Sequence, residues 1–443
     1  MYLLAKILER VVRIGTLRVF DAHGRLHVFS GSSDPFVTIR LSDKTLHRKL
    51  LLNLGLYAGE AYMDGTLTLE ECTLYDALQL FALNWLSREP QLIQTLLRRF
   101  SRLTLPLRQY NPIRRARKNA AHHYDLSSDL FRLFLDDDLQ YSCAYFLSDN
   151  DTLEQAQENK KRHIVAKLLL EPGQKILDIG SGWGGLAFYL AACADVEVTG
   201  VTLSKEQLQV SRERARVLAL ADRVHFELRD YREIEKRFDR VVSVGMFEHV
   251  GVYHYGEFFA KIRELLADDG VALIHAIGRM GPPGTTNPWV RKYIFPGGYT
   301  PALSEVLAAL EPRCLWVTDI EILRLHYADT LREWYRRFRA NREKVAKLYD
   351  ERFCRMWELY LVSAEMVFRY GDRMVFQMQI ARQRDAVPLT RDYATAAERA
   401  YLRREKQSGR ARNRGWESLL LVPDNSPRRN SKPGHSLAGK AGT

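Results

Sequence analysis

The sequence predicts an α/β protein whose larger part is a mostly parallel sheet with helices on both faces, preceded by a small α+β unit. Apolar runs at 175–180, 196–202, 223–229, 238–244, 270–277, 315–323 and 374–381 alternate with helical patterns near 184–193, 204–219, 255–267, 301–310 and 327–348. Such alternation implies crossover helices on both faces of a parallel sheet, with ligands gathering at the carboxyl ends of the strands. The first run, Lys175-Ile-Leu-Asp-Ile-Gly-Ser-Gly-Trp-Gly-Gly185, ends in a glycine-dense turn that opens onto a helix. Before residue 97 the pattern differs: short strand signals follow one another through turn residues.

In that first unit, Leu3, Leu4, Ile7, Leu8, Val11 and Val12 recur at helical spacing, with Lys6, Arg10 and Arg13 elsewhere on the turn. Such a helix can lie on a membrane or pack on its own domain, and packing is the preferred reading. Leu17-Arg-Val-Phe20, His27-Val-Phe29 and Phe36-Val-Thr-Ile-Arg-Leu41 read as strands, separated by turns at Asp21-Ala-His-Gly24 and Gly31-Ser-Ser-Asp-Pro35. Residues 55–65 form a helix or loop bounded by glycines, and Leu74 to Leu86 an apolar helix. Beyond the first unit the predicted boundaries are a basic linker at 98–118, the sheet domain at 119–400 and a basic, disordered tail at 401–443.

The chain carries a net charge of +12, and most of it is concentrated. Residues 98–118 hold eight basic residues and no acidic one, and residues 401–443 hold ten basic and three acidic ones. The body is therefore not basic; it carries two basic attachments suited to nucleic acid or an anionic membrane surface. The tail has only Tyr401 and Trp416 as aromatics, which argues against a single-strand nucleic-acid binder. No apolar run reaches bilayer-spanning length, and charges at Lys6, Glu9 and Arg10 interrupt any secretory signal. The five cysteines (Cys72, Cys143, Cys193, Cys314 and Cys354) are scattered without metal-ligand spacing, so a reduced cytoplasmic protein without a metal is expected.

The turn after the first strand suits a flat ligand lying against bare backbone at Gly180, Gly182 and Gly184, with a helix N-terminus behind it. Dinucleotide and methyl-donor sites share this signal. Both usually place an acid after the next strand; here Val198-Thr-Gly-Val-Thr-Leu-Ser-Lys-Glu-Gln207 offers Thr202, Leu203, Ser204 and Gln207 instead. Arg229-Asp-Tyr231 and Phe238-Asp-Arg-Val-Val-Ser-Val-Gly-Met-Phe-Glu-His-Val-Gly251 follow, setting Glu248 and His249 just past a buried strand.

Together with Ala121-His-His-Tyr-Asp125, Tyr141-Ser-Cys-Ala-Tyr-Phe146 and Tyr293-Ile-Phe-Pro-Gly-Gly-Tyr-Thr-Pro301, these segments resemble the cyclopropane-fatty-acyl-phospholipid and mycolic acid cyclopropane synthases. The resemblance covers about residues 1 to 395. It implies a Rossmann-like class I methyltransferase domain with a seven-stranded sheet, preceded by a small lipid-binding domain. It further implies transfer of a methyl group from S-adenosylmethionine to the cis double bond of a phospholipid acyl chain. The resulting carbocation loses a proton and closes to a cyclopropane ring; a methyl-branched or methylene product from the same donor is the alternative.

The resemblance assigns the proton to a bound bicarbonate held by Cys143, Glu248, His275, Ile277 and Tyr327. Donor contacts carried over are Tyr141, Ser142, Asp178, Gly180, Gly182, Trp183, Gly184, Thr202, Leu203, Ser204, Gln207, Asp230 and Tyr231. His122, His123 and His249 stay open between structural and supporting roles. Where enterobacterial members carry a cysteine, this chain has Ala364, which excludes a thiol nucleophile there. The implied partners are a phospholipid bilayer with unsaturated acyl chains and an anionic membrane surface at its inner face, with no nucleic acid; a homodimer is left open.

Overall fold

The computed structural model describes residues 1–85 and 126–408. The basic linker at 98–118, the segment holding His122 and His123, and residues 409–443 lie outside the described residues.

In the first unit, strands β1 (Ile14–Phe20), β2 (Leu26–Ser30), β3 (Ser32–Leu41) and β4 (Leu67–Glu70) form a sheet in the order β2-β1-β3-β4. Three of these correspond to expected strands; β4, only four residues long, was not anticipated. Alternate residues of β1 are buried, including Leu17 and Val19, and they share a core with Val37, Leu41, Leu46 and Leu50. Residues 55–65 belong mostly to a longer helix, Leu46–Met63. The unit docks on the larger domain through Trp289 Nε1, which donates to Met63 Sδ at 3.1 Å, and Tyr75 OH, which donates to Glu365 Oε1 at 3.0 Å. Helix Tyr2–Val11 buries Leu4 and leaves Tyr2, Leu3 and Ile7 exposed.

The larger sheet has seven strands: β5 (Lys175–Ile179), β6 (Glu197–Thr202), β7 (Val224–Leu228), β8 (Phe238–Val244), β9 (Leu266–Arg279), β10 (Trp316–Ile322) and β11 (Arg373–Ala381). Their order is β10-β11-β9-β8-β5-β6-β7. The pairs from β9 through β8, β5 and β6 to β7 are parallel, while β11 runs antiparallel to both β9 and β10. The expected α/β architecture is therefore present. Chain order reverses beside β5, whose neighbours are β6 and β8, and such a reversal opens a crevice at the carboxyl ends.

Ile176, Val198 and Val242 pack on one side with the wholly buried helix Gly185–Cys193. Leu177, Ile179 and Val241 join a second cluster with helices Tyr255–Leu265 and Leu303–Leu310. A third cluster gathers Phe131, Phe134, Trp334 and Trp357 with Trp183, so helices His326–Ala340 and Glu351–Tyr370 adjoin the glycine turn.

Among the departures from the sequence reading, two helices bear on how the larger domain packs. Helix Leu153–Leu168 was not among the expected helices, although Thr152 and Gln155 form a reciprocal capping box at its start. Its buried residues include Lys160, Lys161, Arg162 and Lys167, so an apolar stripe never shows in its sequence. Helix Asp392–Ser408 crosses the boundary set at residue 400, which places Tyr401–Ser408 in ordered structure and corrects the predicted start of the disordered tail. Glu405 pairs with Arg162, and Arg404 Nη1 donates to the Cys193 carbonyl at 2.9 Å, anchoring this last turn.

Candidate active site

A cavity opens where β5, β6 and β8 end. The turn after β5 needs glycine at Gly182, where φ is +55° and a Cβ would meet nothing within 4 Å. The space that side chain would fill belongs to the cavity. Gly184 serves differently. A Cβ there would lie 2.7 Å from the Phe226 ring, and Gly184 is the one expected donor contact that does not line the cavity. Its left-handed backbone instead lets helix Gly185–Cys193 start against packed aromatic rings.

The other twelve expected donor contacts all line the cavity: Tyr141, Ser142, Asp178, Gly180, Gly182, Trp183, Thr202, Leu203, Ser204, Gln207, Asp230 and Tyr231. Asp178 is fully buried, and burial pushes its pKa up to about 7, opposed by Lys160. Asp178 Oδ2 and Ser181 Oγ are buried without a hydrogen-bond partner. Gln207 Oε1 accepts from the Thr202 hydroxyl at 2.8 Å, which leaves its amide NH2 for the cavity. The Asp230 carboxylate is already held by Arg232, through Nε at 2.9 Å and Nη2 at 2.8 Å. Tyr141 shares a hydroxyl hydrogen bond of 2.9 Å with Tyr360 and stacks on Trp334 at 5.0 Å. Lys160 Nζ donates to Ser142 Oγ at 2.9 Å and thereby holds the loop from beneath.

Behind the cavity lies a second group of residues, none of which lines it. Glu248 Oε1 accepts from the Ile277 backbone N–H at 2.6 Å, so two of the five expected anion-site residues meet directly. Glu248 Oε2 is buried without a partner, and burial pushes the carboxyl pKa up to about 7 against the lowering effect of the Ile277 N–H. His275 lies two residues before Ile277 on β9, which puts both on one face of the strand. Burial holds its imidazole neutral, far below its ordinary pKa.

Cys143 and Tyr327 sit in the aromatic cluster, against which Ile277 also packs. Thr330, one turn beyond Tyr327, accepts from the Ala144 N–H at 3.0 Å and ties the two segments together. Burial raises the Cys143 thiol well above its usual pKa, which disfavours a thiolate and leaves backbone contact as its available role.

These positions meet in a chain with identifiable relatives. The sequence model for mycolic acid cyclopropane synthetase matches residues 112–378. The chain belongs to this family. It is 38% identical over 344 residues to the cyclopropane-fatty-acyl-phospholipid synthase of Escherichia coli K12, covering 78% of this chain and 87% of that protein. The tuberculostearic acid methyltransferase UfaA1 of Mycobacterium tuberculosis is 39% identical over 284 residues, covering 60% of this chain and 66% of that protein. Among solved structures, mycolic acid cyclopropane synthase CmaA1 complexed with SAH and CTAB is similar, with a TM-score of 0.56 and 33% identity. That match covers 61% of this chain and 99% of CmaA1. The protein is thus an enzyme homologue with the fold of the S-adenosylmethionine-dependent methyltransferases.

Membership of the cyclopropane synthetase family sharpens what the sequence reading missed. Gln140, Met246, His249, Pro296 and Gly297 also line the cavity. His249, left open between roles, stands half-buried at the cavity, and desolvation lowers its pKa to about 4. Met246 and His249 flank Glu248 in one short segment, and Pro296-Gly297 lies within a quoted motif, so a local signal existed for each. Lys160 had none, because a lysine in an unrecognised helix reads as surface. No helix among the described residues is long and apolar enough to cross a membrane.

Proposed function

We propose that the enzyme transfers a methyl group from S-adenosylmethionine to the cis double bond of an unsaturated phospholipid acyl chain and forms a cyclopropane ring. The observation that carries this is the pairing of two adjoining environments. An open cavity at Gly182, with Asp178 Oδ2 and Ser181 Oγ unpartnered, stands beside a dry carboxylate, Glu248, with one oxygen unpartnered. Similarity to a named cyclopropane-fatty-acyl-phospholipid synthase over 87% of its length supports the substrate class.

S-adenosylmethionine supplies an electrophilic methyl group on a cationic sulfur. The Gly180–Gly182 turn, Asp178 and Gln207 suit its binding, and the Tyr141, Trp183 and Tyr231 rings suit its positive charge. An alkene is a weak nucleophile, so the chain must fix donor and alkene in near-attack geometry and exclude water. The buried rings of Phe131, Phe134 and Trp334 pack against Tyr141, and Phe131 against Trp183, so apolar surface backs that part of the cavity wall.

Ring closure also needs a base for a carbon-bound proton, and bicarbonate supplies one. Glu248 fits it. Two bare negative charges repel in a dry site, and a carboxyl raised to about 7 can keep its proton and donate from Oε2. His275, Tyr327 and the Cys143 backbone would complete the holder, while Ile277 fixes Glu248 through its N–H. Exposed Tyr2, Leu3 and Ile7 beside Lys6 and Arg10 suit the inner surface of an anionic membrane, where a peripheral cytoplasmic enzyme would reach its lipid.

Lipid mass spectrometry after expression in a host lacking cyclopropane lipids tests the product. A gain of one CH2 that persists through hydrogenation as a ring supports this reading. The resemblance to a tuberculostearic acid methyltransferase favours one rival, a methyl-branched chain, which would appear as a saturated branched product and refute ring closure.

A further inference from the structure

His275 is the one expected anion-site residue whose hydrogen bonding reaches deep into the fold. It pairs across the sheet with Gln377 in the β9–β11 register, and both side chains are almost wholly inaccessible. The Gln377 amide nitrogen lies 3.2 Å from His275 Nδ1. On its other side, Gln377 Oε1 accepts from Lys167 Nζ at 2.8 Å. This second contact decides the geometry. A lysine ammonium can only donate, so it must face the amide oxygen, and the amide NH2 must then face His275. A donor at Nδ1 requires an unprotonated nitrogen there. A neutral imidazole carries one N–H, which is left on Nε2.

Lys167 is itself fixed. It pairs with Glu321, which also accepts from His163 Nε2 at 2.7 Å. Burial opposes the charge on Glu321, but His163 and Lys167 outweigh it and hold the carboxyl at about 2. His163 is in turn bonded to Glu398 of helix Asp392–Ser408, with burial opposing and the two carboxylates favouring its protonated form. An unbroken polar chain therefore runs from the C-terminal helix to the ring of His275. Burial alone would keep that ring neutral but would not choose its tautomer.

We infer that Gln377, oriented by Lys167, is a positioning residue that fixes His275 as its Nε2–H tautomer. Nε2 makes no hydrogen bond to any described residue, so its N–H remains the ring donor for a bound anion. That last role rests on the anion-site reading of the proposed function; the tautomer does not.

The test uses the full-length protein with 15N-labelled imidazoles, and a His275→Asn spectrum identifies the ring among the 12 histidines. Without donor or lipid, His275 should show an unprotonated Nδ1 and a protonated Nε2. Gln377→Glu keeps the shape and the Lys167 partner but offers only acceptors, so it should move the proton to Nδ1. Wrong tautomers cost a catalytic imidazole up to about 10⁴ in kcat, so turnover should fall at least about a hundredfold. Donor affinity should stay within about twofold, a split that general loosening of the fold would not give.

A wild-type ring protonated on Nδ1 overturns the inference, whether or not Gln377→Glu folds. A flipped ring with unchanged kcat overturns the positioning role. Failure of the wild-type enzyme to make a cyclopropane would fail the proposed function instead, and it leaves the substrate-free tautomer measurement intact.

Discussion

The cavity at the carboxyl end of β5 and the buried carboxylate behind it adjoin in space but are built in opposite ways. The cavity takes much of its wall from contiguous stretches: Asp178–Trp183 and Val201–Ser204 at the ends of β5 and β6, and Leu139–Ser142 in the loop before helix Leu153–Leu168. Its polar atoms are left open by backbone shape. The group around Glu248 is assembled from single residues on separate elements: Glu248 after β8, Ile277 and His275 on β9, and Gln377 on β11. Backbone conformation makes the first site, and tertiary packing makes the second. Damage should therefore differ in kind: binding should be lost at one and chemistry at the other.

The largest effect that would sharpen this contrast is Gly182→Val. The substitution strains a left-handed residue by roughly 1–2 kcal/mol and puts a branched side chain where nothing stands within 4 Å. Calorimetry should show donor affinity reduced by on the order of a thousandfold, about 4 kcal/mol, with the fold retained. Unchanged affinity would remove the turn from the donor site.

Glu248→Gln comes next. The variant keeps the acceptor for the Ile277 N–H but can no longer take up or release a proton at Oε2. Turnover should fall by about a hundredfold or more while donor affinity holds, in line with loss of a positioned acid–base group. Donor binding lost in parallel would show that the two sites are one.

The same contrast explains what could be read from the sequence. The seven larger strands and the glycine turn were legible because local periodicity and backbone chemistry specify them. Twelve residues that line the cavity were named from the short stretches that carry them. At Gly184 the spacing matches a ligand turn, yet the Phe226 ring, supplied by a distant strand, already demands glycine there. Helix Leu153–Leu168 was hidden because its lysines and arginine are buried against Asp138, Glu405, Glu321 and Gln377, so polarity no longer reports exposure. Gln377 and Lys167 carry no motif at all, since their meaning arises only from the β9–β11 register and one helix face.

A smaller effect separates the sites by pH. Burial raises Asp178 from 3.8 to about 7, so the folded protein holds a proton that the unfolded chain releases between those values. Its contribution to stability is therefore greatest at low pH and falls as pH rises through that window. Binding a cationic donor should favour the ionised carboxylate. Affinity should tighten by up to about tenfold per pH unit below pH 7 and level off above it, with proton release seen as buffer-dependent binding enthalpy. Asp178→Asn should flatten this dependence and Glu248→Gln should keep it; the reverse result would place the titrating group in the wrong site.

The smallest effect should spare both sites. Residues 409–443 carry seven basic and two acidic residues and none of the site positions. A cut after Ser408 leaves Glu398 with His163 and Glu405 with Arg162. Each lysine or arginine near an anionic surface contributes about 1 kcal/mol at most, and salt screens it, so vesicle association should weaken about tenfold at low ionic strength and much less in high salt. Turnover on detergent-dispersed lipid should stay within about twofold, because the described residues that orient Gln377 and line the cavity all remain. A cut before Asp392 is the informative partner. It strips Glu398 from His163 and Glu405 from Arg162, so it should lower kcat and thermal stability even in detergent. If both cuts behave alike, the ordered helix and the basic tail form one functional unit, and the division between membrane docking and chemistry fails.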